Sequence, residues 1–336
     1  MRKKSLAICA LSMIMAFGAF FVGCGGEDNN DRSTPNAGTG TTDTVPDDTP
    51  QYRKVKLLTD DNFKNGFNLR GLNSATDSGV CKVINYGDES KKPDWSLAQW
   101  WSDYNLKDGV ETITEDTYSL IDRSKTVVLD RKSGAITLGV NGAEEFETYN
   151  PVPPSMWPHL LIEQSIVGEY WLKDADKVEA TLDFTVNKSE NLRGGTQGYH
   201  AQFAWFIYVV DRNPESDGFG NFLWFGLNIF NSTQLYTTGT AQQDTAGGLG
   251  NFIYSLGSAD IYEGRVRVGE RKSFTVDLGA HVKEALETAQ SRGFMLGTTY
   301  EDCAITGMNI GWEVFDRFDV SITMHDIGIN FMNLKN

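Results

Sequence analysis

The stretch Tyr199-His200-Ala201-Gln202-Phe203-Ala204-Trp205-Phe206-Ile207-Tyr208 decides the fold class, together with Asn221-Phe222-Leu223-Trp224-Phe225-Gly226-Leu227-Asn228-Ile229-Phe230 one loop further on. Successive side chains of a strand point to opposite faces. In the first stretch His200, Gln202, Phe206 and Tyr208 therefore share one face, and Phe203, Trp205 and Ile207 share the other. In the second, Phe222, Trp224, Gly226 and Asn228 stand against Leu223, Phe225, Leu227 and Ile229. A purely apolar face backed by a mixed one belongs to a sheet with one side on a core.

Working outward, similar runs bounded by Gly, Asn, Asp or Pro predict further strands near 54-58, 125-130, 135-140, 159-166, 178-187, 251-255, 272-277, 306-314 and 318-332. The two opening stretches supply 199-210 and 221-230. One helix is expected, from Ala280 to Arg292, with Val282, Leu286 and Ala289 on one side, Asp277 before it as a turn or capping group and Gly293 as its stop. Many long strands with one late helix predict an all-β fold, a two-sheet antiparallel jelly-roll sandwich. No repeat of fixed period occurs, which excludes a propeller or β-helix. Residues 60 to 120, with Asp94-Trp95-Ser96-Leu97-Ala98-Gln99-Trp100-Trp101, read as an irregular segment lying across one face.

The chain starts Met1-Arg2-Lys3-Lys4, continues with an apolar run from Leu6 to Val22 and reaches Gly23-Cys24. A basic start, a short apolar run and a small residue at its end form a secretory signal. The run is short for a bilayer core of about 30 Å and has no basic flank behind it, so it does not read as a spanning helix. Phe21-Val22-Gly23-Cys24 is similar to the bacterial lipobox, with Phe21 where leucine is usual. That resemblance implies that residues 1-23 are removed and that Cys24 is lipidated, which would anchor the protein to a membrane. Residues 24-51 are rich in Gly, Asn, Asp, Thr and Pro and poor in large apolar side chains, the composition of a disordered tether. The acidic run Glu27-Asp28-Asn29-Asn30-Asp31 resembles signals that send bacterial lipoproteins to the outer cell surface. The expected address is the cell envelope, at the outer membrane and facing outward. Residues 52-336 remain as a single domain.

The formal net charge is −15, with 30 Lys and Arg against 45 Asp and Glu, and the leader would take three more positive charges with it. A nucleic-acid partner needs a basic face, so no nucleic-acid role is expected. Beyond Cys24, only Cys81 and Cys303 remain in the domain. They could pair in an oxidising compartment or stay free, and their spacing supports no zinc site.

Two strand faces carry candidate chemistry. Trp157-Pro158-His159-Leu160-Leu161-Ile162-Glu163-Gln164 puts Trp157, His159, Leu161 and Glu163 on one side. Rings that receive the C–H faces of a sugar, beside groups that hold its hydroxyls, make a glycan surface. The opening stretches add His200 and Gln202, with Trp224 and Asn228 around Gly226, a residue type that marks close approach in a strand. Their connecting loop, Asp211-Arg212-Asn213-Pro214-Glu215-Ser216-Asp217-Gly218-Phe219-Gly220, reads either as a solvated turn or as an irregular structural calcium site; it is not an EF-hand. Apart from that ion no cofactor is expected. Arg212 could grip a substrate carboxylate.

Glycosidases work with two carboxyl groups about 5 to 9.5 Å apart. Glu163 with Glu145, from Glu144-Glu145-Phe146-Glu147, is the pair expected as acid and base, with His200 as a further catalytic candidate and the group Trp312-Glu313-Val314-Phe315-Asp316 held in reserve. Serine-elbow, phosphate-loop, dinucleotide and metal-helix motifs are absent from the sequence.

In strand length, aromatic content and export signal, residues 120 to 336 resemble the concanavalin A-like lectin and glucanase sandwich. The Glu-x-Asp-x-x-Glu signature of its retaining glucanases does not occur. His200-x-Gln202 beside Tyr208 resembles alginate-lyase sandwiches, with the Gln and His in reverse order. These resemblances imply an envelope lipoprotein that binds, and in one version cleaves by hydrolysis or lyase chemistry, an extracellular polysaccharide or oligosaccharide. The rival reading is a structural or adhesive surface lipoprotein without catalytic activity.

Overall fold

The protein is described from a computed structural model covering residues 52-73, 79-87, 90-146, 157-168, 170-193, 199-245 and 250-334. The leader, Cys24 and the tether lie outside these residues. All of the described residues fall within one unit, Thr49–Asn336.

In chain order the strands are β1 (Tyr52–Lys56), β2 (Phe67–Arg70), β3 (Val80–Ile84), β4 (Trp95–Ala98), β5 (Val110–Ile113), β6 (Thr117–Ile121), β7 (Lys125–Asp130) and β8 (Ile136–Asn141). Next come the short helix α1 (Gly142–Glu145), β9 (His159–Ser165), β10 (Lys177–Asn191), β11 (Ala201–Asp211), β12 (Phe222–Asn231), β13 (Thr240–Gln243) and β14 (Phe252–Leu256). Helix α2 (Ser258–Ile261), β15 (Arg271–Asp277), α3 (Leu278–Ser291), β16 (Cys303–Val314) and β17 (Phe318–Leu334) complete the chain.

One sheet runs β15-β10-β17-β8-β7-β6-β5, with β1 also paired to β17. The other runs β13-β14-β12-β11-β16-β9-β4-β2-β3. Together they form the expected all-β sandwich. It is antiparallel except at β12–β14 and β2–β4, where the pairing is parallel. β14 comes to lie beside β12 in parallel because the chain first crosses over through β13, which flanks β14 on its outer side. The segment 60-120, expected to be irregular, instead supplies β2 to β6 and one edge of each sheet.

The core lies between the sheets. From one side come Val178, Ala180, Leu182, Phe184, Val320, Ile322, Ile329 and Leu138; from the other come Phe203, Trp205, Ile207, Leu223, Phe225, Leu227, Ile162 and Ile310, all buried. Trp312 ties the layers directly, since its indole N–H donates to the Leu138 carbonyl of the opposite sheet at 3.0 Å. In β17 the inward set changes phase between Met324 and Ile327. A bulge absorbs the shift: Asp183 pairs with Asp326 and Phe184 with Met324, leaving His325 as the extra residue. Without it every residue beyond would turn to the wrong face.

Helix α3 starts two residues earlier than its apolar spacing indicated, because the Asp277 carboxylate accepts from the Gly279 N–H and caps it. Leu278, Val282, Ala285, Leu286 and Ala289 are buried, and Gly293 after the helix has φ +84°. Cys81 and Cys303 are not joined by a disulfide: the Cys81 thiol donates to the Arg70 carbonyl at 3.5 Å and the Cys303 thiol to the Thr299 carbonyl at 3.3 Å.

Candidate functional site

The two outer faces of the sandwich differ in kind. On the eight-stranded sheet the outward groups form local polar pairs: Lys188 with Asp319, Arg271 with Asp183, Thr137 with Thr323, and Asn187 with Thr323. The nine-stranded sheet turns rings and charges outward together. Pairing puts His159 of β9, Glu313 of β16 and Gln202 of β11 in one row. The next row holds Leu161, Gly311 and Ala204, and the one after that Glu163, Asn309 and Phe206. Tyr208 follows on β11 and pairs with Trp224 of β12.

The first row is bonded within itself. Gln202 Nε2 donates to Glu313 Oε2 at 2.5 Å, and His159 Nε2 lies 3.7 Å from Glu313 Oε1. The other nitrogen, His159 Nδ1, is 2.5 Å from the Trp157 carbonyl. Rings gather at this end: Trp157 stacks on Phe315 with centroids 5.1 Å apart, meets His200 edge-on at 5.5 Å, and Trp100 lies 6.1 Å from His159. The carboxylate, the imidazole and the amide of this row are all half-buried, so a ligand here would meet groups already oriented.

At the other end Arg70 Nε donates to Glu163 Oε1 at 3.2 Å, with the glutamate side chain 16% exposed and the arginine 31%. Burial pushes the Glu163 carboxyl up from its ordinary value, and Arg70 opposes that rise. Asn309 donates to the Tyr208 hydroxyl at 3.0 Å. Burial likewise pushes the Tyr208 phenol up, with the Glu163 charge adding to the effect. Around Tyr208, Trp224 packs edge-on to Tyr208, Phe222 and Phe206 with centroids 4.8, 4.8 and 6.0 Å away. Among the described residues, the indole N–H groups of Trp100, Trp157 and Trp224 are buried without a protein acceptor. Buried donors of this kind are costly unless something accepts from them.

The structure therefore brings Trp157, His159, Glu163, Gln202 and Trp224 onto one face, with His200 at its rim. It does not bring Glu145 there. That carboxylate is buried, accepting from Ser102 Oγ, Ser124 Oγ and the Asp103 N–H, with Lys125 as counter-ion. The expected Glu163 and Glu145 pair is thus not an acid-base pair, since both carboxylate oxygens of Glu145 are engaged inside the protein. At Gly226 the close approach is made by side chains of the neighbouring strands. A Cβ there would meet Ser255 Oγ at 2.2 Å and the Phe206 ring at 2.8 Å, so the glycine seats that ring. Asn228 spends an amide donor on the Thr238 carbonyl, and Arg212 is exposed in the loop beyond β11. In that loop the buried Asp211 carboxylate accepts from Ser216 Oγ, Thr298 Oγ1 and the Asn213 N–H, so hydroxyls and an amide fill the place an ion would take. Among the described residues no cluster of three or more His, Cys, Asp or Glu could hold a metal.

Sequence reading missed Arg70 and Asn309. Arg70 stands 93 residues from Glu163 on a four-residue strand, and Asn309 sits in an otherwise apolar run; neither carries a local signal.

No family model matches the chain, and no curated protein matches it in sequence. Solved structures similar to it include the endoglucanase cel12A from Rhodothermus marinus, 9% identical, with 66% of this chain and 93% of that chain covered and a TM-score of 0.36. A family 12 xyloglucanase from Bacillus licheniformis is 11% identical, with 69% and 98% covered and a TM-score of 0.39. The xyloglucanase domain of the Sinorhizobium fredii effector NopAA, solved with cellobiose, is 11% identical, with 66% and 95% covered and a TM-score of 0.35. At these identities the likeness concerns the sandwich architecture alone.

Proposed function

We propose that the protein is a cell-envelope lipoprotein that binds an extracellular oligosaccharide or polysaccharide on the outer face of its nine-stranded sheet. The observation that carries this reading is the company kept on that face: half-buried Trp157, Trp224 and Tyr208 beside His159, Glu313, Gln202, Glu163 and Arg70, on a sandwich whose opposite face carries polar pairs. Rings take up the C–H faces of sugars, and fixed amides, carboxylates and an imidazole take up hydroxyls. Cys24 carries the lipid and residues 25-51 are the tether that lets the domain reach outward from the outer membrane.

Capture is better supported than cleavage. Glu313 and Glu163 are the outward carboxylates of adjacent strands, four residues apart in register, which is about 13 Å along a strand. Glycosidase pairs stand about 5 to 9.5 Å apart.

The test is calorimetric titration of residues 52-336 with a panel of neutral and acidic glycans, with Trp157→Ala and Trp224→Ala alongside and reducing ends and near-ultraviolet absorbance followed in the same samples. Binding that both variants weaken, without new ends or unsaturated products, is the expected result. Silence across the panel would overturn the reading in favour of a structural surface protein, and products would replace capture with catalysis. Lipidation is checked separately by metabolic labelling with a fatty-acid analogue, which Cys24→Ser should abolish.

A further inference from the structure

A cluster of buried polar groups lies next to this site, not in it. Lys125, on β7 of the opposite sheet, has a fully buried side chain. Its ammonium lies 2.9 Å from Asp122 and 3.5 Å from Glu145, and donates to Ser102 Oγ at 2.5 Å and the Tyr104 carbonyl at 2.6 Å. Glu145 in turn accepts from Ser102 Oγ at 2.5 Å and the Asp103 N–H at 2.6 Å. Ser102, Asp103 and Tyr104 belong to one loop, the one that follows β4.

That loop is fastened a second time at its base. Gln99 is fully buried, donates to the Arg70 carbonyl and Asn105 Oδ1, and accepts from the Leu106 N–H. Between the two fastenings stand Trp100 and Trp101. Trp101 has φ +61°, a left-handed conformation that a bulky residue adopts only where its surroundings impose it. Its N–H donates to the Leu72 carbonyl, while the Trp100 carbonyl takes the His159 N–H at 2.9 Å. The Trp100 ring therefore stands beside His159 and has a buried indole N–H with no protein acceptor among the described residues.

A buried ion pair is a poor device for stability, because desolvating both charges offsets most of their attraction and an apolar replacement is often as stable. What this one does provide is direction: charged groups with several partners accept one geometry of the loop. We infer that Lys125 and Glu145 are positioning residues, which act through the Ser102–Tyr104 loop to hold Trp100 as a wall of the glycan site beside His159. The inference rests on the glycan-binding reading for its consequence and on the loop geometry for its cause.

The experiment has one readout for each. Without ligand, the indole N–H resonances of Trp100 and Trp101 in ¹⁵N-labelled protein should shift or broaden in Glu145→Gln while that of Trp224 stays in place; unmoved Trp100 and Trp101 signals would overturn the inference. With ligand, Glu145→Gln should bind the glycan about tenfold more weakly, and adding it to Trp100→Ala should cost little more than Trp100→Ala alone, as for two residues acting through one contact. Additive losses would overturn it too. If Glu145→Gln does not fold, Ser102→Ala removes the same link more gently and is held to the same outcomes. If wild-type protein binds no glycan, the proposed function fails and the indole resonances alone decide the positioning.

Discussion

Glu163 shows how a single environment sets a measurable sign. Its carboxyl is held above the ordinary value of 4.5 mainly by burial, against the pull of Arg70. A carboxyl whose folded value is raised favours folding while protonated, and that contribution is lost as pH rises through the folded value. Wild type should therefore lose stability as pH climbs from about 4.5 into the folded titration range, and Glu163→Gln should lack that segment, so that the difference between their denaturation midpoints grows with pH. A difference that shrinks with pH would mean that Arg70, not burial, dominates the site. His325, on the opposite outer face, has the reverse sign. Burial, with Arg271 adding, lowers it from 6.5, so its contribution is present above that value and is lost as pH falls through the folded one. At the same scale, Trp224→Ala removes a ring packed against three others and should weaken glycan binding by about 1 to 2 kcal/mol, roughly tenfold, read by titration calorimetry.

Strands determine what those residues can touch. On β12, Gly226 is where the Phe206 ring of β11 lies down, and Gly226→Ala should cost about 1 to 3 kcal/mol in chemical denaturation, because Ser255 and Phe206 must both shift. An unchanged midpoint would show that the ring is free to move. The same residue marks how far sequence reading reaches. Alternation over β9, β11 and β12 assigns faces correctly, since a period of two needs only one strand to be read. It cannot say which strands adjoin, so Gly226 reads only as a place of close approach, without the Phe206 ring that makes it, and Glu163 reads without Arg70. Long strands with a clear inward set, β10, β11, β12, β16 and β17, are legible for that reason. The four- and five-residue strands β2 to β6 are not: β5 is exposed along its whole length, and β2 and β4 take their burial from partners in the folded sheet. Glu145 fails for a related cause, because nothing beside it in the chain announces Lys125 twenty residues away.

At the scale of the whole molecule, two sheets enclose one core and present two outer faces of different chemistry. The proposed glycan reading assigns the ligand to the nine-stranded face and none to the eight-stranded one. The outward pairs of the eight-stranded sheet should be dispensable: breaking Arg271–Asp183 with Arg271→Gln or Lys188–Asp319 with Asp319→Asn changes stability by less than about 1 kcal/mol, since such solvent-facing pairs are screened by water and salt. Glycan affinity in both variants should match wild type. The opposite face should respond in affinity with little change in stability, as in Trp157→Ala, and the buried cluster between them in stability first. Lys125→Met strips two buried carboxylates of their counter-ion and should cost about 3 to 5 kcal/mol. Thermal unfolding and glycan titration on these four variants would place each on two axes. If Arg271→Gln or Asp319→Asn lost binding while Trp157→Ala kept it, the ligand would belong on the eight-stranded face, because a sugar held by exposed ion pairs must be sensitive to salt, whereas one held by rings and half-buried amides is not.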